Sequence, residues 1–290
     1  MTEAIRIVVA SDLSDMASRA VRRGFRLAQE LRGTLDILHI VDSALPSRLS
    51  AQALAAARDL LEAECTPLAA ETGVQPGIEV AGGDPRLELA HRARAKGAGL
   101  VVAGMHRRRA VALFTAARSM PGELLARLGL PLLVVQQAAD APYRRVVVGV
   151  DFSVFSRPAI RWARRLAPTG TLLFVHGYEV PFKPYLGPED YGAEFAYAER
   201  LELDQFLAEE METLAERAHA AGVPAAAIEK RVVEGAPAEV LRRTAAEEGA
   251  DLLVVGTHGR AGLLKAVLGS VAADLVRDPP TDLLVVPARS

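Results

Sequence analysis

Short apolar runs built from valine, leucine and isoleucine recur along this chain, and amphipathic stretches separate them. Runs of this length between turn residues are typical of strands buried on both faces, and the amphipathic stretches predict helices. The same runs return in the same order in the second half. The matching segments are 5–14 with 145–153, 35–39 with 172–176, 82–85 with 234–237, 100–104 with 252–256, and 132–135 with 283–286. The chain therefore consists of two repeats of one strand–helix unit.

Each predicted helix has one apolar face, as a helix that covers a sheet requires. In the first helix this face consists of Ala17, Ala20, Val21, Leu27, Ala28 and Leu31. In its counterpart, Ser156 is expected to be the N-cap, and Pro158 lies in the first turn. The stripe there consists of Ile160, Ala163, Leu166 and Ala167. Alternating strands and helices predict right-handed crossovers and a parallel sheet, so each repeat is expected to be a small doubly wound α/β domain.

The boundary between the repeats is expected near residues 136–142, where alanine, aspartate and proline replace the strand pattern. We therefore expect one domain over residues 1–140 and a second over 141–290. Half of the 290 residues are hydrophobic and only 5% are aromatic, which suits parallel sheets covered by helices.

The formal net charge of −2 argues against a general binder of nucleic acid or of a membrane surface. The N-terminus has no apolar signal-peptide region, and no apolar run approaches the roughly 18 residues that span a bilayer. Cys65 is the only cysteine, so no intramolecular disulfide can form, and a buried, unreactive side chain is expected there. These features together predict a cytoplasmic protein.

The most informative stretch is residues 256–270, which read GTHGRAGLLKAVLGS and join a buried strand to a predicted helix. Glycines allow backbone N–H groups to approach an anion and permit positive φ angles. Ser270 is expected to cap the helix that follows, whose N-terminus favours negative charge. The pattern predicts a phosphate site, but two ordinary turns of an α/β domain would give the same spacing.

The full spacing resembles the ATP-binding signature of the universal stress proteins, as do its flanks at 249–251 and 282–287. The resemblance implies two five-stranded sheets of strand order 3-2-1-4-5, related by a pseudo-two-fold axis. It also implies a crevice at the ends of the first and fourth strands of the second repeat. The residues expected to bind ATP there are Gly149, Val150, Asp151, Ser153, Gly177, Gly256, Thr257, His258, Gly259, Arg260, Gly262, Gly269, Ser270 and Val271.

Three side chains near this crevice allow more than one interpretation. Asp151 can accept a hydrogen bond from an adenine amino group or a ribose hydroxyl, or can cap the next helix. His258 could act as a base, but it is expected to be a loop residue because no carboxylate is fixed beside it. Lys265 could reach a phosphate, but it is expected to be solvated. His39 and His176 are expected to be structural because metal-ligand spacing is lacking.

The first repeat departs from the signature. Arg107 and Arg118 stand where the second repeat has glycines, Ala10 replaces Gly149, and Gly99 replaces Asp251. A Cβ at a position that needs a positive φ costs roughly 1–2 kcal/mol. The 1–140 domain is therefore expected to hold a degenerate site. The run 107–109 could hold an anion through its side chains, but a solvated basic loop is the expectation.

Three interpretations of function follow. The first is an ATP-binding sensor or regulatory module of the stress response; the second is a slow ATPase or self-phosphorylating enzyme that uses the same crevice. A ligand-free scaffold is a third, which the glycine signature disfavours. No Walker GxxxxGK[ST] run and no catalytic motif occurs, so no catalytic residue is predicted. Magnesium could bridge the phosphates without protein ligands.

The sequence also makes predictions about how the two repeats contact each other and about a surface that could contact a partner. The resemblance implies that the final strands of the two repeats pair, which makes the chain an intramolecular pseudo-dimer and leaves a homodimer open. The aromatic-rich stretch from 178 to 206 is either a flap near the crevice, a partner surface, or a segment packed on its own domain. No protein partner can be identified from the sequence.

Overall fold

The structure is a computed structural model that describes residues 4–42, 47–105, 125, 127–138, 141–154, 156–179, 193–257 and 269–288. The first half contains β1 (Arg6–Ala10), α1 (Asp15–Glu30), β2 (Thr34–Asp42), α2 (Ser47–Thr72), β3 (Gly77–Gly83), α3 (Pro85–Ala95), β4 (Leu100–Gly104) and β5 (Leu132–Val135). The second contains β6 (Arg145–Gly149), α4 (Ser156–Leu166), β7 (Thr171–Tyr178), α5 (Ala193–Ala220), β8 (Ile228–Glu234), α6 (Pro237–Glu247), β9 (Leu252–Gly256), α7 (Ser270–Arg277) and β10 (Asp282–Val286).

All ten of these strands form one continuous sheet, in the order β3-β2-β1-β4-β5-β10-β9-β6-β7-β8. Each half therefore has the predicted order 3-2-1-4-5, and its strands are parallel. The halves meet where β5 pairs with β10 in antiparallel orientation, with Leu133 opposite Leu284 at the centre. The predicted fold class and the pairing of the final strands are both confirmed.

The strands are buried on both faces, and their side chains alternate between two hydrophobic clusters. On one face they pack against α1, α2, α4 and α5, through side chains such as Phe25, Leu61 and Leu214. On the other they pack against α3, α6 and α7, through Leu89, Leu241 and Leu275. The low aromatic content is thus compatible with a core because small aliphatic side chains fill both layers.

The helices follow their predicted faces with three differences. In α1 the buried face includes the predicted residues, but Leu31 is the partly buried C-cap, and Arg23 is buried although it was not expected. Ser156 is the first residue of α4, and its hydroxyl bonds to Asp151. The prediction that Ser270 caps α7 is wrong: Gly269 is the N-cap without a side-chain bond, and Ser270 is already helical.

A buried polar cluster joins the halves beside the β5–β10 pair. Asp282 is fully buried, and its Oδ1 accepts from the backbone N–H groups of Gln136 (2.8 Å) and Gln137 (2.9 Å). Its Oδ2 accepts from the Tyr143 hydroxyl at 2.7 Å and lies 3.5 Å from Nε of Arg23. The guanidinium of Arg23 also stacks over the Tyr143 ring, 4.2 Å from its centroid. Burial, and then the Asp282 charge, raises the pKa of Tyr143.

Two expectations from composition can be compared with the structure. Cys65 lies in the core, and burial raises the pKa of its thiol to about 12, so the reactive thiolate is suppressed as predicted. Among the helices described, none combines the length and the apolar character that crossing a bilayer would require.

Candidate functional site

The candidate site lies where the winding of the second half reverses. β6 pairs with β7 on one side and with β9 on the other, and the chain visits β7 and β8 before it returns to β9. In doubly wound sheets, ligands bind at the carboxyl ends of the two strands that flank such a reversal. Gly149 ends β6 and Gly256 ends β9, so the predicted residues 149–153 and 256–257 lie at this edge.

A tight turn follows β6 and fixes Asp151. The N–H of Val150 donates to the carbonyl of Val175, and Nδ1 of His176 donates to the carbonyl of Val150 at 2.7 Å. Phe152 adopts φ of +62°, which costs roughly 1–2 kcal/mol for a residue with a Cβ. Its ring packs on His176, with 4.4 Å between the centroids. His176 is therefore structural, as predicted, since it holds this turn.

The two carboxylate oxygens of Asp151 have different environments. Oδ1 accepts from the backbone N–H of Ser153 (3.1 Å), the Ser153 hydroxyl (2.7 Å) and the Ser156 hydroxyl (2.7 Å). Ser156 is buried, and its Oγ in turn accepts from the Asp151 N–H at 3.1 Å. Oδ2 is buried and has no hydrogen-bond partner in the part of the chain that is described. Buried acceptors are normally satisfied, so Oδ2 is suited to receive a donor from a ligand.

Three of the predicted glycines have packing reasons for lacking a side chain. A Cβ on Gly149 would lie 2.8 Å from Leu241 of α6, and one on Gly177 would lie 2.8 Å from the Cα of Pro237. At Gly269 a Cβ would lie 3.0 Å from the carbonyl oxygen of Thr257. Gly269 has φ of −58°, so the expectation that this glycine provides a positive φ is wrong. Close packing explains these glycines whether or not a nucleotide binds.

The two ends of the glycine-spaced stretch come together. The Thr257 N–H donates to the carbonyl of Val286, and the Gly269 N–H donates to the carbonyl of Thr257 at 2.8 Å. Ser270 and Val271 open α7 at the same edge. The intervening predicted residues His258, Gly259, Arg260 and Gly262, together with Lys265, lie outside the described residues. Among residues that are described, no group of three histidines, cysteines or carboxylates could hold a metal ion.

The first half repeats the turn without one of its hydroxyls. Leu13 has φ of +64°, Asp12 accepts from the N–H and hydroxyl of Ser14, and His39 donates to the carbonyl of Ser11 at 2.8 Å. Ala17 stands at the position that Ser156 occupies in the second half. Arg107, Arg118 and the 107–109 run lie outside the described residues.

Comparison with known families decides what kind of chain this is. The sequence profile of the Universal stress protein family matches it twice, at residues 5–136 and 142–287. The chain belongs to this family. It is a tandem universal stress protein, with one family unit in each half of the sheet.

Known universal stress proteins resemble it over one unit or over both. One from Mycobacterium tuberculosis is 34% identical over 144 residues, which are 50% of this chain and 96% of that protein. The crystal structure of one from Archaeoglobus fulgidus shares the fold across both halves, with a TM-score of 0.69, 16% identity, and 99% of each chain covered. Another, crystallised in complex with cAMP, is 31% identical over 50% of this chain and 98% of its own, with a TM-score of 0.36.

In this universal stress protein, sequence reasoning missed Ser156 as a partner of Asp151. The helical pattern predicted that Ser156 is an N-cap. Since that role already explains a polar residue at the start of a helix, a second role was not sought. A comparison of the two repeats could have found it, because Ala17 stands at the same position in an otherwise similar turn. The difference between repeats was the available signal.

Proposed function

We propose that this universal stress protein binds ATP in its C-terminal half and acts as a nucleotide-dependent sensor or regulatory module of the stress response. The observation that carries the proposal is the Asp151 carboxylate, which is held by three donors on Oδ1 while Oδ2 is buried without a described partner. A hydroxyl or amino group of a nucleotide would satisfy Oδ2. The location at the winding reversal supports the same site.

The remainder of the nucleotide is assigned from the sequence spacing. By that spacing, backbone N–H groups between Thr257 and Gly269 are expected to face the phosphates, and the N-terminus of α7 at Ser270 favours their negative charge. Magnesium would bridge phosphate oxygens with water as its other ligands. In this proposal residues 141–290 form the ATP-binding domain, and residues 1–140 form a domain whose site is degenerate.

The test is a matched pair of isosteric substitutions followed by titration calorimetry with ATP. Asp151→Asn can keep the oxygen that accepts from Ser153 and Ser156, and it replaces the Oδ2 acceptor with an amide donor. We expect about one ATP per wild-type chain and at least about a tenfold loss of affinity in the variant, or roughly 1.4 kcal/mol. Asp12→Asn is the control and should leave affinity unchanged. Two equivalent sites, or equal losses in both variants, would contradict the proposal.

The second candidate is a slow ATPase or self-phosphorylating enzyme that uses the same crevice. The wild type should be incubated with ATP and magnesium for hours, and released phosphate and protein mass should then be measured. The sensor interpretation predicts no turnover above that of Asp151→Asn. Phosphate release, or a mass increase by one phosphoryl group, that is absent in that variant would favour the enzyme. Competition by cAMP would show whether the site prefers a triphosphate.

A further inference from the structure

Two surface helices of the C-terminal half carry opposite charge. Every residue of α4 that is not buried is an arginine, and this helix contains no acidic residue. The four are Arg157, Arg161, Arg164 and Arg165. The neighbouring α5 contains eight acidic residues and two arginines. An exposed helix face normally mixes both signs, so a face of arginine alone beside an acidic helix is a feature to explain.

The acidic residues of α5 surround an exposed aromatic ring. One face of the helix carries Glu202, Phe206, Glu209 and Glu216, which are separated by four, three and seven residues. The glutamates are exposed, and Phe206 is 48% exposed. An apolar side chain inside a charged border has the composition of the centre and rim of a protein interface.

Three of the arginines on α4 and three of the glutamates on α5 have no ionic partner among the described residues. Arg165 stacks on Trp162 of its own helix, 5.2 Å from the ring, and Arg164 donates to the carbonyl oxygens that follow the helix. Within the described part of the chain, neither these two arginines nor Arg157 forms an ion pair. The same holds, over those residues, for Glu202, Glu209 and Glu216.

We propose that α4 and α5 form a self-complementary interface by which two copies of this chain dimerise. The inference is independent of nucleotide binding. Both helices cover the same face of the sheet, and both run toward the edge where the next parallel strand begins. A two-fold axis between them and parallel to them therefore lays α4 of each copy on α5 of the other. The contact is isologous, so both charge pairings form twice and the assembly closes at two copies.

Apolar contacts add to these ion pairs. Val154, two residues before α4, is 62% exposed, and in the proposed pairing it offers an apolar side chain to Phe206 of the other copy. The arginines of α4 would then lie along the half of α5 that carries Glu209 and Glu216. Arginines that reach the Phe206 ring also gain a cation–π contact. Isolated surface ion pairs contribute little, so a central apolar contact is needed for a stable dimer.

The arrangement favours a second copy over a polyanion such as nucleic acid. A phosphate backbone laid along α4 would pass beside the carboxylates of α5 on the same face and be repelled. A second copy instead places its acidic α5 against the arginines of α4, and its own arginines against the acidic α5. Electrostatic complementarity of this kind selects the partner and its orientation.

The test begins with the mass of the wild-type full chain by sedimentation equilibrium. We expect a dimer of the 30.9 kDa chain at low salt and dissociation near 1 M salt, where the Debye length is about 3 Å. Phe206→Ala should weaken the dimer at every salt concentration. A wild type that stays monomeric at low salt and high protein concentration overturns the proposal, even if the chain binds heparin.

Charge exchange then identifies the interface. One variant carries Arg157→Glu and Arg165→Glu, and the other carries Glu209→Arg and Glu216→Arg. Each alone should be monomeric because like charges face each other, whereas an equimolar mixture should form a heterodimer. All four substituted residues are exposed, and far-UV circular dichroism of each variant checks that it is folded. Variants that remain dimeric alone, or that fail to dimerise when mixed, place the contact elsewhere and refute the α4–α5 interface.

Discussion

The two halves build the same turn after their first strand but differ in one hydroxyl beside it. Leu13 and Phe152 have nearly equal positive φ angles, and each follows an aspartate that accepts from a serine two residues later. A histidine from the second strand supports both turns. Only the second half adds Ser156, where the first has Ala17. The turn therefore belongs to the fold, and the additional hydroxyl on Asp151 is specific to the proposed ATP site.

The halves also differ where they join. Their final strands pair symmetrically about the pseudo-two-fold axis, but the buried cluster of Arg23, Tyr143 and Asp282 lies on one side of that axis only. Arg23 of α1 corresponds to Trp162 of α4, and Asp282 of β10 corresponds to Pro131 before β5. One copy of the unit thus supplies a buried cation and the other a buried anion. We infer that this asymmetry stabilises the pairing of unlike halves.

The largest expected effect comes from breaking that cluster. Asp282→Asn removes the carboxylate that is paired with the buried Arg23, and we expect a loss of about 3–5 kcal/mol in the free energy of unfolding. Urea unfolding followed by circular dichroism measures it. Asp274→Asn is the control, because its pair with Arg277 is exposed and should change stability by less than about 0.5 kcal/mol. Equal losses in the two variants would show that the cluster is not specially stabilising.

The next effect separates packing from ligand contact at Gly177. Its counterpart in β2 is Ile40, so the strand itself accepts a large side chain, whereas Gly177 packs directly against Pro237. Gly177→Ala should therefore destabilise the protein by about 1–3 kcal/mol because the new Cβ overpacks the contact with α6. Thermal unfolding and ATP titration are both needed. Unchanged stability with weakened ATP binding would assign the glycine to the nucleotide instead.

A smaller effect sharpens the comparison of the two turns. Ser156→Ala copies the first half and removes one donor from Asp151, which lets the carboxylate reorient. We expect ATP affinity to fall by up to about tenfold, or about 1.4 kcal/mol, with little change in unfolding. The reverse change, Ala17→Ser, should leave the stoichiometry of ATP unchanged. A second bound ATP in that variant would mean that the hydroxyl alone separates the two sites.

Much of the fold could be predicted from sequence because burial on both faces leaves an apolar run for each strand, and the runs repeat. The strand order and the β5–β10 pairing were implied by the family resemblance. For the site, the sequence predicted the edge of the sheet at which it lies, but not the contacts that its side chains make. Periodicity treats Arg23 as a surface residue, and its burial depends on Asp282, which is remote in sequence. Spacing likewise cannot tell that Gly149 and Gly177 face α6, because that contact arises from tertiary packing.

The smallest effects concern carboxylates at the opposite edge of the sheet, where the second half has one carboxylate with an opposite pKa shift that the first half lacks. Hydrogen bonding from Arg145 holds the pKa of Glu229 below its ordinary 4.5, and Lys96 does the same for Glu79 in the first half. A lowered folded-state pKa adds stability above the unfolded pKa, and this is lost as the pH falls through the folded one. Burial raises the pKa of Asp251 above its ordinary 3.8, so Asp251 acts in the opposite sense, and Gly99 occupies its position in the first half.

The free energy of unfolding should therefore be measured between pH 3 and pH 7, a window that contains the ordinary pKa values of both carboxylate types. Glu79→Gln and Glu229→Gln should each make the rise of stability with pH shallower, by less than about 1 kcal/mol over the whole range because the pairs are partly exposed. Asp251→Asn should make the rise steeper, since it removes a group whose ionisation opposes folding as the pH increases. If Glu229→Gln and Asp251→Asn shift the slope in the same direction, the opposition between these neighbouring carboxylates is wrong. A change of slope from Asp251→Asn alone would mean that the ion pair of Glu229 with Arg145 does not persist in solution.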